Sequence, residues 1–549
     1  MQQNKTQDST KPIHYVNSIC GAGKTYTLLN NLKAGVFQGK TLIVLPTNKL
    51  IEQYEDDLKA RAIIYSKVVS GENGHIKIVQ LIKSALAPDY HIQLILCTHK
   101  GFALYCKEAA LDESMQEALS NVNVIVDESP TDDFFSFAKV TYADAREENF
   151  PFTKWLTPSE DDPTILFLNE QYRDEVTRYY NEPHASSQHI KNVLWSALQG
   201  AAVITEDRPV KQPEDDNGEE DEMGECLDSV FFATTFPNPL LLASQWSKKF
   251  LLLGSNVHKA ESIIQAGFQL GIQCKRADDI HWPPVERNRY TETTRVNITV
   301  VFKNPASKQK LYKQFTESIL PMTVRKMGQG FIYATNNDSE GFTNYPFSTI
   351  ADEWFKPHRG QRVSMSSYGL NIYAGHNCHG LTKEELMVKG IETDNADDAY
   401  MGYTKAVYLA SVRDSGTRAR CMHRLCKAMG FDYKEIAEAR FHEQNSEKAM
   451  QFFARSALRD KSYTGDLNFV VTDLAMAEYL QENYFPDCTI EMLGVKEIER
   501  KPRTSDKGNE TKDNVINLFN QGMKQKDIAE QLNLSKGRVS QLLKEIKAA

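Results

Sequence analysis

The sequence predicts an α/β protein with two parallel-sheet domains and a small all-helical domain at its end. In the first third of the chain, short apolar runs rich in β-branched residues alternate with helical patterns, and a second series of such runs begins near Arg295. Strands that alternate with helices in this way form parallel sheets. The end of the chain differs in charge: residues 496–549 hold 12 Lys or Arg and 8 Asp or Glu, whereas the whole chain has a net charge of -9. We therefore expect three folded units.

The first domain is predicted to comprise residues 1–133 and 231–290. Its strands are predicted from four apolar runs, each of which ends in polar residues: 12–19, 40–46, 91–98 and 122–128. Because open α/β sheets bind ligands at the carboxyl ends of their strands, we expect these polar residues to meet at one edge. Residues 24–35 follow the first strand and are predicted to form a helix closed by a glycine.

Residues 134–230 interrupt this domain and are predicted to be an insertion. Within it, residues 206–225 are acidic and almost without apolar side chains, a composition typical of a disordered loop. The second α/β domain is predicted over residues 291–495, a charged linker over 496–512 and the helical domain over 513–549. The strands of the second domain are predicted from the runs "RVNITVVF", "GFIYATN", "RVSMSSYGLNIY", "AVYLASV" and "NFVVTD".

The composition is that of a globular protein and argues against a membrane-spanning chain. Hydrophobic residues make up 41% and charged residues 25% of the sequence. No apolar run approaches the ~18–20 residues that a membrane span needs. The opening residues, "MQQNKTQDSTKP", lack the apolar stretch of a signal peptide, and the nine cysteines have no framework spacing. We expect a cytoplasmic protein with reduced thiols and no membrane partner.

The segment "SICGAGKT" (18–25) is predicted to bind the phosphate groups of a nucleotide. It lies between a strand and a helix, so backbone N–H groups and the helix N-terminus would point at an anion. Lys24 would reach the terminal phosphates, and the Thr25 hydroxyl would hold Mg²⁺. The alternative interpretation is a tight turn with a surface lysine. The residues predicted to line this phosphate site are Ser18, Gly21, Ala22, Gly23, Lys24 and Thr25.

A second segment, "VNVIVDESP", supplies two adjacent carboxylates at the end of an apolar strand. Asp127 would hold Mg²⁺ through water, and Glu128 would orient or deprotonate the attacking water during hydrolysis of the nucleotide. Taken alone, adjacent acids at a strand end could be a solvated turn. Their occurrence downstream of Lys24, in the right order, favours hydrolysis.

The order of these segments resembles the first RecA-like domain of superfamily 2 helicases of the DEAD/DEAH-like type. The resemblance rests on "SICGAGKT", "LIVLPTNKLIEQ", "ILCTH" and "VIVDES". In that family the phosphate loop often opens with Ala or Ser, so Ser18 in place of the usual glycine is no defect. The resemblance covers roughly residues 13–480 outside the insertion. It implies two RecA-like P-loop domains, with ATP and Mg²⁺ bound between them.

The same resemblance implies contacts with the backbone of a nucleic acid. The family segment that matches "PTNKLIEQ" (46–53) lies against phosphates of the bound strand. Pro46, Thr47, Asn48 and Thr98 are the matching positions here, with an ordinary strand-to-helix loop as the alternative.

A further family segment couples hydrolysis to motion. It is matched by Gly254-Ser255-Asn256, which follows an apolar strand, and the rival match is "ATT" at 233–235.

Two segments of the second domain resemble later helicase motifs. In "SMSSYGLNIY" (364–373), Gly369 and Asn371 are the positions implied to lie near the nucleotide. "QFFARSALRD" (451–460) resembles the motif whose arginine stabilises the charge of the transferred phosphoryl group. Arg455 has the family spacing from Gln451, whereas Arg459 comes one residue late. Either could be this arginine finger, and surface arginines on a helix are the alternative.

The end of the chain, "MKQKDIAEQLNLSKGRVSQLLKEI" (523–546), looks like a helix-turn-helix DNA-binding module. Ile528, Ala529 and Leu532 share one helix face, and a second helix beginning at Ser535 is predicted to pack its apolar face back on them. That second helix would enter the major groove of DNA. Its residues predicted to reach phosphates or base edges are Ser535, Lys536, Arg538 and Gln541. A helical tail that serves only protein contacts is the alternative.

These expectations favour an ATP-dependent DNA helicase or translocase. Compact helicases with such tails resemble those of phages, plasmids and other mobile elements, so a replication role with other replication proteins is plausible by analogy. The alternative function is an ATP-switched DNA-binding regulator or defence sensor without unwinding activity. An RNA helicase is a third option, disfavoured by the DNA-type tail.

Overall fold

A computed structural model of the chain describes the following residues: 10–18, 23–70, 75–130, 135–141, 152–182, 188–208, 229–277, 294–336, 346–363, 400–412, 416–460, 462–496, 514–519, 523–532, 534, 539–540 and 542–543. The chain divides into two compact units, Met1–Gly494 and Val495–Ala549.

Eighteen described strands lie in the larger unit. They are β1 (Ile13–Asn17), β2 (Thr41–Leu45), β3 (Ser66–Val68), β4 (Leu94–Thr98), β5 (Asn123–Asp127), β6 (Phe135–Thr141), β7 (Leu156–Pro158), β8 (Ile165–Leu168), β9 (Val203–Arg208), β10 (Ser229–Thr235), β11 (Lys249–Gly254), β12 (Cys274–Arg276), β13 (Arg295–Phe302), β14 (Phe331–Thr335), β15 (Gly360–Arg362), β16 (Lys405–Leu409), β17 (Asp466–Asp473) and β18 (Thr489–Met492).

The α-helices described in the same unit begin at the phosphate loop. They are α1 (Lys24–Lys33), α2 (Asn48–Ala60), α3 (His75–Leu86), α4 (His99–Ala109), α5 (Glu113–Glu117), α6 (Phe152–Trp155), α7 (Arg173–Asn181), α8 (Gln188–Leu198), α9 (Ala243–Trp246), α10 (Glu261–Leu270), α11 (Lys308–Gln314), α12 (Leu320–Met327), α13 (Phe347–Phe355), α14 (Gly416–Met429), α15 (Tyr433–Phe441), α16 (Glu447–Phe453) and α17 (Leu474–Asn483).

The first sheet has seven parallel strands in the order β12-β1-β11-β5-β2-β4-β3. Every residue of β2 and β5 is buried, because helices cover both faces of the sheet. One face packs on α1 and α2, where Leu28, Tyr54 and Leu58 are fully buried. The opposite face packs on α3, α4 and α10. We call this sheet and its helices α1–α5, α9 and α10 the first lobe.

Between β5 and β11 the chain forms a second, antiparallel sheet in the order β6-β10-β9-β8-β7. We call it the inserted sheet. Its central strand β10 pairs with β6 on one side and β9 on the other, so residues about 90 positions apart lie side by side. Residues 206–208, predicted to begin a disordered loop, belong to β9 because they pair with β10. The rest of the predicted loop, residues 209–225, lies outside the described residues.

The third sheet has six parallel strands in the order β15-β14-β16-β17-β13-β18. With helices α11–α17 it forms what we call the second lobe. The helices α15 and α16 are joined through a π-helical turn, His442–Ser446, so residues 433–453 form one continuous helical segment.

The inserted sheet packs against the second lobe. Ile165, Ile204 and Ala233 from three of its strands share an apolar cluster with Cys421 and Leu425 of α14. The cysteines of α14 are therefore buried core residues. On the other side, Gln265 and Gln269 of α10 donate to Thr235 of β10, so the inserted sheet contacts both lobes.

The smaller unit contains a compact apolar core. Ile528 and Ala529 of helix α18 (Gln525–Gln531) are buried together with Val539, Leu542 and Leu543. The predicted packing of these two sets of residues is confirmed. The four predicted DNA-contacting positions, Ser535, Lys536, Arg538 and Gln541, lie outside the described residues.

The predicted fold class, two parallel sheets flanked by helices in tandem, is confirmed by these sheet topologies. In the described part of the chain, no helix has the length and apolar character needed to cross a membrane.

Candidate active site

The strand register of the first lobe brings the phosphate loop and the two carboxylates to one edge. β11 lies between β1 and β5, with Asn17 opposite Gly254 and Asp127 opposite Leu253. The backbone N–H of Ser18 donates to Gly254 O (2.9 Å), and that of Glu128 donates to Leu253 O (2.7 Å). Three segments far apart in sequence therefore converge at the carboxyl ends of adjacent strands.

The phosphate loop enters α1 through Gly23, whose φ of 82° lies in the left-handed region that glycine adopts readily. Among the described residues, no atom lies within 4 Å of the position that a Cβ would take there, so the backbone conformation is the reason for a glycine at this position. Lys24 and Thr25 follow as the first two residues of α1. Gly21 and Ala22, also predicted to line the phosphate site, lie outside the described residues.

Asp127 is buried at the end of β5, and its two carboxylate oxygens differ in their contacts. Oδ2 accepts a hydrogen bond from the Tyr54 hydroxyl (2.6 Å), and the Thr25 hydroxyl also faces the Tyr54 oxygen. Oδ1 is buried without a hydrogen-bond partner among the described residues. Burial raises the pKa of Asp127, and the nearby Lys24 ammonium lowers it. A buried acceptor of this kind, beside a hydroxyl and a lysine, fits a hard divalent cation such as Mg²⁺.

His99 holds the strand ends around this carboxylate. Its Nε2 lies 2.9 Å from Asp127 O, and its ring also bonds to the backbone of Val44. Burial lowers the pKa of His99 to about 4, so the ring is neutral at physiological pH. Neither His99 nor Tyr54 was predicted from the sequence.

Glu128 has φ 68°, a left-handed conformation that is unfavourable for a residue with a Cβ. Such strain persists only where the surroundings hold it, and it occurs often in active sites. The close approach of Gly254 is one constraint: a Cβ on Gly254 would lie 3.5 Å from Glu128 Cα and 2.5 Å from Val257 Cγ1. Glu128 faces a cavity that residues from both lobes line.

This cavity joins the phosphate-loop residues of the first lobe to the α15–α16 segment and α17 of the second. Its lining residues are Lys24, Glu128, Ser129, Gly254, Ser255, Asn256, Val257, Lys259, Ala260, His442, Glu443, Glu447, Lys448, Gln451 and Tyr479. Of the predicted site residues, Lys24 and Glu128 line it.

Asn256 connects the lobes beside the cavity. Its backbone N–H donates to Asn17 Oδ1 (2.8 Å), and its side-chain amide donates to Glu447 Oε1 (2.9 Å) and Tyr484 OH (3.1 Å). Glu447 also accepts hydrogen bonds from Tyr479 (2.5 Å) and Tyr484 (2.6 Å). Burial raises the pKa of Glu447, and these hydrogen bonds oppose that rise. The segment 254–256 therefore contacts both lobes.

The rival segment, 233–235, lies elsewhere. Its residues belong to β10 of the inserted sheet, where Thr234 Oγ1 donates to Ala202 O (2.7 Å) and Thr235 Oγ1 accepts from Gln265 (2.7 Å).

A second buried carboxyl group, Glu443 in the π-helical turn, contacts the residue that follows Glu128. Ser129 Oγ donates to Glu443 Oε1 (3.2 Å), and the backbone N–H of Glu261 donates to Oε2 (3.0 Å). Burial and the negative charge of Glu261 raise the pKa of Glu443 to about 7. Arg418 and Arg440 are paired with Glu261 itself, at 3.2 Å and 2.8 Å.

The predicted nucleic-acid contacts lie together beside the active site. β2 and β4 are neighbours with Leu45 opposite Thr98, so Pro46, Thr47 and Asn48 adjoin Thr98 at the same edge. Both threonines cap helices: Thr47 Oγ1 accepts from Leu50 N (3.2 Å), and Thr98 Oγ1 accepts from Gly101 N (3.1 Å). Capping is a structural role for both hydroxyl groups, so a nucleic acid would have to bind Thr47 and Thr98 while the caps are in place.

None of the four second-lobe residues predicted to lie near the nucleotide is among the described residues that line the cavity. Gly369 and Asn371 lie outside the described residues. Arg455 and Arg459 lie after α16, in a turn and a short 3₁₀ helix, and neither is among the described residues that line the cavity. Lys448 and Gln451 of α16 line it instead.

Comparison with known proteins gives fold-level similarity alone. No protein-family model and no curated protein matches the chain. Among solved structures, S. tokodaii Xpd4 is 12% identical with a TM-score of 0.41, over 87% of this chain and 96% of that one. S. cerevisiae Dbp5 bound to RNA and ADP-BeF3 is 11% identical with a TM-score of 0.33, over 88% and 86%. The DEAD-box helicase Mss116 bound to ssRNA and UDP-BeF is 10% identical with a TM-score of 0.28, over 97% and 81%. Similarity at this level assigns no ligand and no activity to this chain.

Proposed function

We propose that this protein is an ATP-dependent DNA helicase or translocase, in which hydrolysis in the cavity between the lobes drives movement on DNA. One observation carries the proposal. Lys24 and the strained Glu128 line a cavity whose far wall belongs to the second lobe, and the buried Asp127 lies near Lys24 at the end of β5. A site shared by two lobes can couple nucleotide turnover to their relative motion.

The first-lobe residues would bind the phosphates of ATP. Lys24 would contact the terminal phosphates, with the backbone of Ser18 and Gly23 framing the loop. Thr25 and Asp127 would hold Mg²⁺, which when bound offsets the negative charge of the phosphates. Tyr54 would keep the Asp127 carboxylate oriented through its hydrogen bond to Oδ2.

Glu128 would orient the attacking water and accept its proton. Its carboxylate lines the cavity, and its backbone is fixed by the hydrogen bond to Leu253. A fixed base loses little further entropy when the reaction begins, which favours catalysis. Arg455 or Arg459 remains our predicted arginine finger, with Gly369 and Asn371 near the nucleotide.

The link from hydrolysis to motion would pass through Asn256. Its contacts with Asn17, Glu447 and Tyr484 join the end of β1 to the second lobe. A change at the phosphate loop would therefore alter contacts between the lobes.

The preference for DNA is supported by the C-terminal sequence, whose apolar residues form a compact helical core. A helix-turn-helix there would bind DNA through Ser535, Lys536, Arg538 and Gln541. Pro46, Thr47, Asn48 and Thr98 would contact the translocating strand. A role in replicating a phage, plasmid or other mobile element, together with other replication proteins, rests on the resemblance of the sequence to such helicases.

The test is ATP hydrolysis without nucleic acid and with single-stranded DNA, duplex DNA or RNA. We expect strong stimulation by DNA that is lost in both Lys24→Ala and Glu128→Gln. Exposed residues of the same lobe supply matched controls, Lys33→Ala in α1 and Glu117→Gln in α5, which should hydrolyse ATP normally. Hydrolysis in the unsubstituted protein no faster than in the two site variants would refute the motor. Stimulation by RNA alone would refute the DNA assignment.

The second candidate is an ATP-switched DNA-binding regulator. The dense network of Glu447, Tyr479, Tyr484 and Asn256 favours it, because such a network can hold the lobes in one arrangement without turnover. Tight ATP binding with turnover that no nucleic acid accelerates would support this candidate over the motor.

A further inference from the structure

We propose that Glu443 of the second lobe is a positioning residue for Glu128, the proposed general base, and that it acts through Ser129. This assignment rests on the proposed function and deepens it, because it makes hydrolysis depend on contact between the lobes. In this role Glu443 holds the backbone beside the base and takes no part in proton transfer.

Ser129 links the two glutamates. It follows Glu128 in the chain, and its Oγ donates a hydrogen bond to Glu443 Oε1 (3.2 Å). All three residues line the cavity. On the other side of Glu128, its own backbone N–H donates to Leu253 O (2.7 Å) in the first lobe. The proposed base therefore lies between an anchor in its own lobe and an anchor in the opposite lobe.

The backbone conformation of Glu128 makes these anchors important. Its φ of 68° is unfavourable for a residue with a Cβ, and such a conformation persists only where the surroundings hold it. A change of backbone angle at this residue would move its carboxylate relative to the phosphate loop. Misplacing a catalytic group by about 1 Å can cost on the order of 100-fold in rate. Loss of one anchor should therefore lower the rate of hydrolysis more than it lowers nucleotide affinity.

Glu443 is itself held in place. It is 8% exposed, and its second oxygen, Oε2, accepts a hydrogen bond from the backbone N–H of Glu261 (3.0 Å). The Glu261 carboxylate is paired in turn with Arg418 and Arg440 of the second lobe, at 3.2 Å and 2.8 Å. Both oxygens of Glu443 thus bond to the first lobe, and the ion pairs beside them join the same two lobes. If the lobes separated, Ser129 would lose its bond to Glu443.

The chain after β5 is also held from within the first lobe. Ser262 Oγ of α10 donates to Pro130 O (3.3 Å), and this bond does not depend on how the lobes are arranged. Asn256 joins the lobes as well, but it follows a different strand, β11. The bond from Ser129 to Glu443 therefore connects the second lobe to the chain directly beside the proposed base.

The experiment measures kcat and KM for ATP hydrolysis by the full-length protein, with and without single-stranded DNA, and equilibrium binding of AMP-PNP with Mg²⁺. Ser129→Ala and Glu443→Met each remove the hydrogen bond between the two side chains. We expect kcat to fall about tenfold in each variant, as for the loss of a hydrogen bond to a charged group. KM and AMP-PNP affinity should stay within about twofold, because the bond positions the base and not the nucleotide.

Two further variants distinguish positioning from a general structural role. Because Ser129 and Glu443 act through one bond, the double variant Ser129→Ala/Glu443→Met should be no slower than the slower single variant. In Glu443→Gln the amide oxygen can replace Oε2 while the amide nitrogen donates to the Ser129 hydroxyl, which accepts as well as it donates. This variant should therefore retain most of the kcat that Glu443→Met loses.

Ser84→Ala on α3 and Glu435→Met on α15 are matched controls, because both residues are exposed and neither is among the described residues that line the cavity. They should leave kcat and KM unchanged. An unchanged kcat in Ser129→Ala overturns the assignment, even if Glu443→Met fails to fold. So does a multiplicative loss of kcat in the double variant, or an equal loss of kcat and AMP-PNP affinity in the single variants.

Lys24→Ala separates this assignment from the proposed function. If the unsubstituted protein hydrolyses ATP and Lys24→Ala does not, an unchanged kcat in Ser129→Ala refutes the role of Glu443 alone. If the unsubstituted protein hydrolyses ATP no faster than Lys24→Ala, the proposed function fails and the assignment fails with it.

Discussion

Within the Asp127 carboxyl group, one oxygen is hydrogen-bonded to Tyr54 and the other has no partner among the described residues. Both oxygens are in a buried environment, where an unsatisfied acceptor costs free energy. Binding of a cation at Oδ1 would remove that cost.

Tyr54→Phe should remove the hydrogen bond that Asp127 Oδ2 accepts from the Tyr54 hydroxyl. We expect the free energy of unfolding to fall by about 1–3 kcal/mol without ligand, and by less with Mg²⁺ and AMP-PNP, because the cation would then compensate the carboxylate. Denaturant unfolding with and without ligand measures this difference. Tyr105→Phe is the control: it removes the bond from a buried tyrosine to Met115 O, and its effect should not depend on ligand. Equal ligand dependence in both variants would contradict the role of Tyr54.

The left-handed backbone of Glu128 predicts a reversal of the usual ranking of alanine and glycine. Glu128→Gly should be more stable than Glu128→Ala by about 1 kcal/mol, because only glycine adopts φ near 68° without a steric cost. At Glu52, an exposed residue in the interior of α2, glycine should instead be less stable than alanine by about 1 kcal/mol. Thermal unfolding of the four variants decides the matter. The same ranking at both positions would show that Glu128 is not strained.

At the scale of single residues, Lys24, Asp127 and Glu128 were predictable from the sequence, whereas Tyr54, His99 and Lys448 were not. The first three lie in two short segments, "SICGAGKT" and "VNVIVDESP", whose residue types and order along the chain are typical of nucleotide hydrolysis. Tyr54 occupies the buried face of α2, where its sequence pattern is the same as that of any core residue. Lys448 reaches the cavity only because α16 packs across it, which no local pattern encodes.

The π-helical turn, His442–Ser446, places Glu443 against Ser129 and the start of α10. π-Helical turns occur often at functional sites. This one brings the Glu443 carboxyl group, whose pKa is raised, next to the residue that follows Glu128, the proposed general base.

Glu443 predicts a specific loss of stability with rising pH. Its pKa is about 7 in the folded protein against an ordinary value of 4.5, so the folded state keeps a proton that the unfolded state has lost. The stabilisation is present below about pH 4.5 and is lost as pH rises to about 7, a difference on the order of 3 kcal/mol. Glu443→Gln should remove this part of the pH dependence, as measured by denaturant unfolding across that range. Glu438→Gln, on the exposed side of α15, should leave it intact. An unchanged slope in Glu443→Gln would contradict the assignment.

The parallel strands were predictable because both of their faces are buried. Runs such as Thr41–Leu45 and Asn123–Asp127 are almost continuously apolar, and their bounds agree with the predicted segments within a few residues. β3 and β12 are three residues long, too short to give a pattern. The inserted sheet was not predicted, since β6 and β10 are joined by pairings between distant residues.

At the scale of the whole molecule, the proposed ATP hydrolysis and the proposed DNA recognition fall in different compact units. The larger unit contains both lobes and the cavity, and the smaller contains the predicted helix-turn-helix. Each has its own apolar core, so the larger unit should fold without the smaller.

A protein truncated after Gly494 should bind AMP-PNP within about twofold of the full chain, because the cavity lies wholly before that residue. Its affinity for duplex DNA should fall about tenfold or more at moderate salt, since positively charged contacts are lost with the tail. Fluorescence anisotropy measures both affinities. A full-length protein with Lys536 and Arg538 changed to alanine should show the same loss of DNA binding. Undiminished DNA affinity in both proteins would refute the predicted DNA-binding role of the tail.

The inserted sheet has a mechanical consequence. β6 begins seven residues after Glu128, while the apolar side chains of β8, β9 and β10 are fixed to α14 of the second lobe. The sheet therefore connects the segment that follows Glu128 to a helix of the second lobe. If the second lobe rotated, either the apolar contact between the inserted sheet and α14 would break, or the backbone next to Glu128 would be pulled. In the second case, a force on the lobes would change the backbone geometry at Glu128, and under the proposed function it would change the rate of hydrolysis.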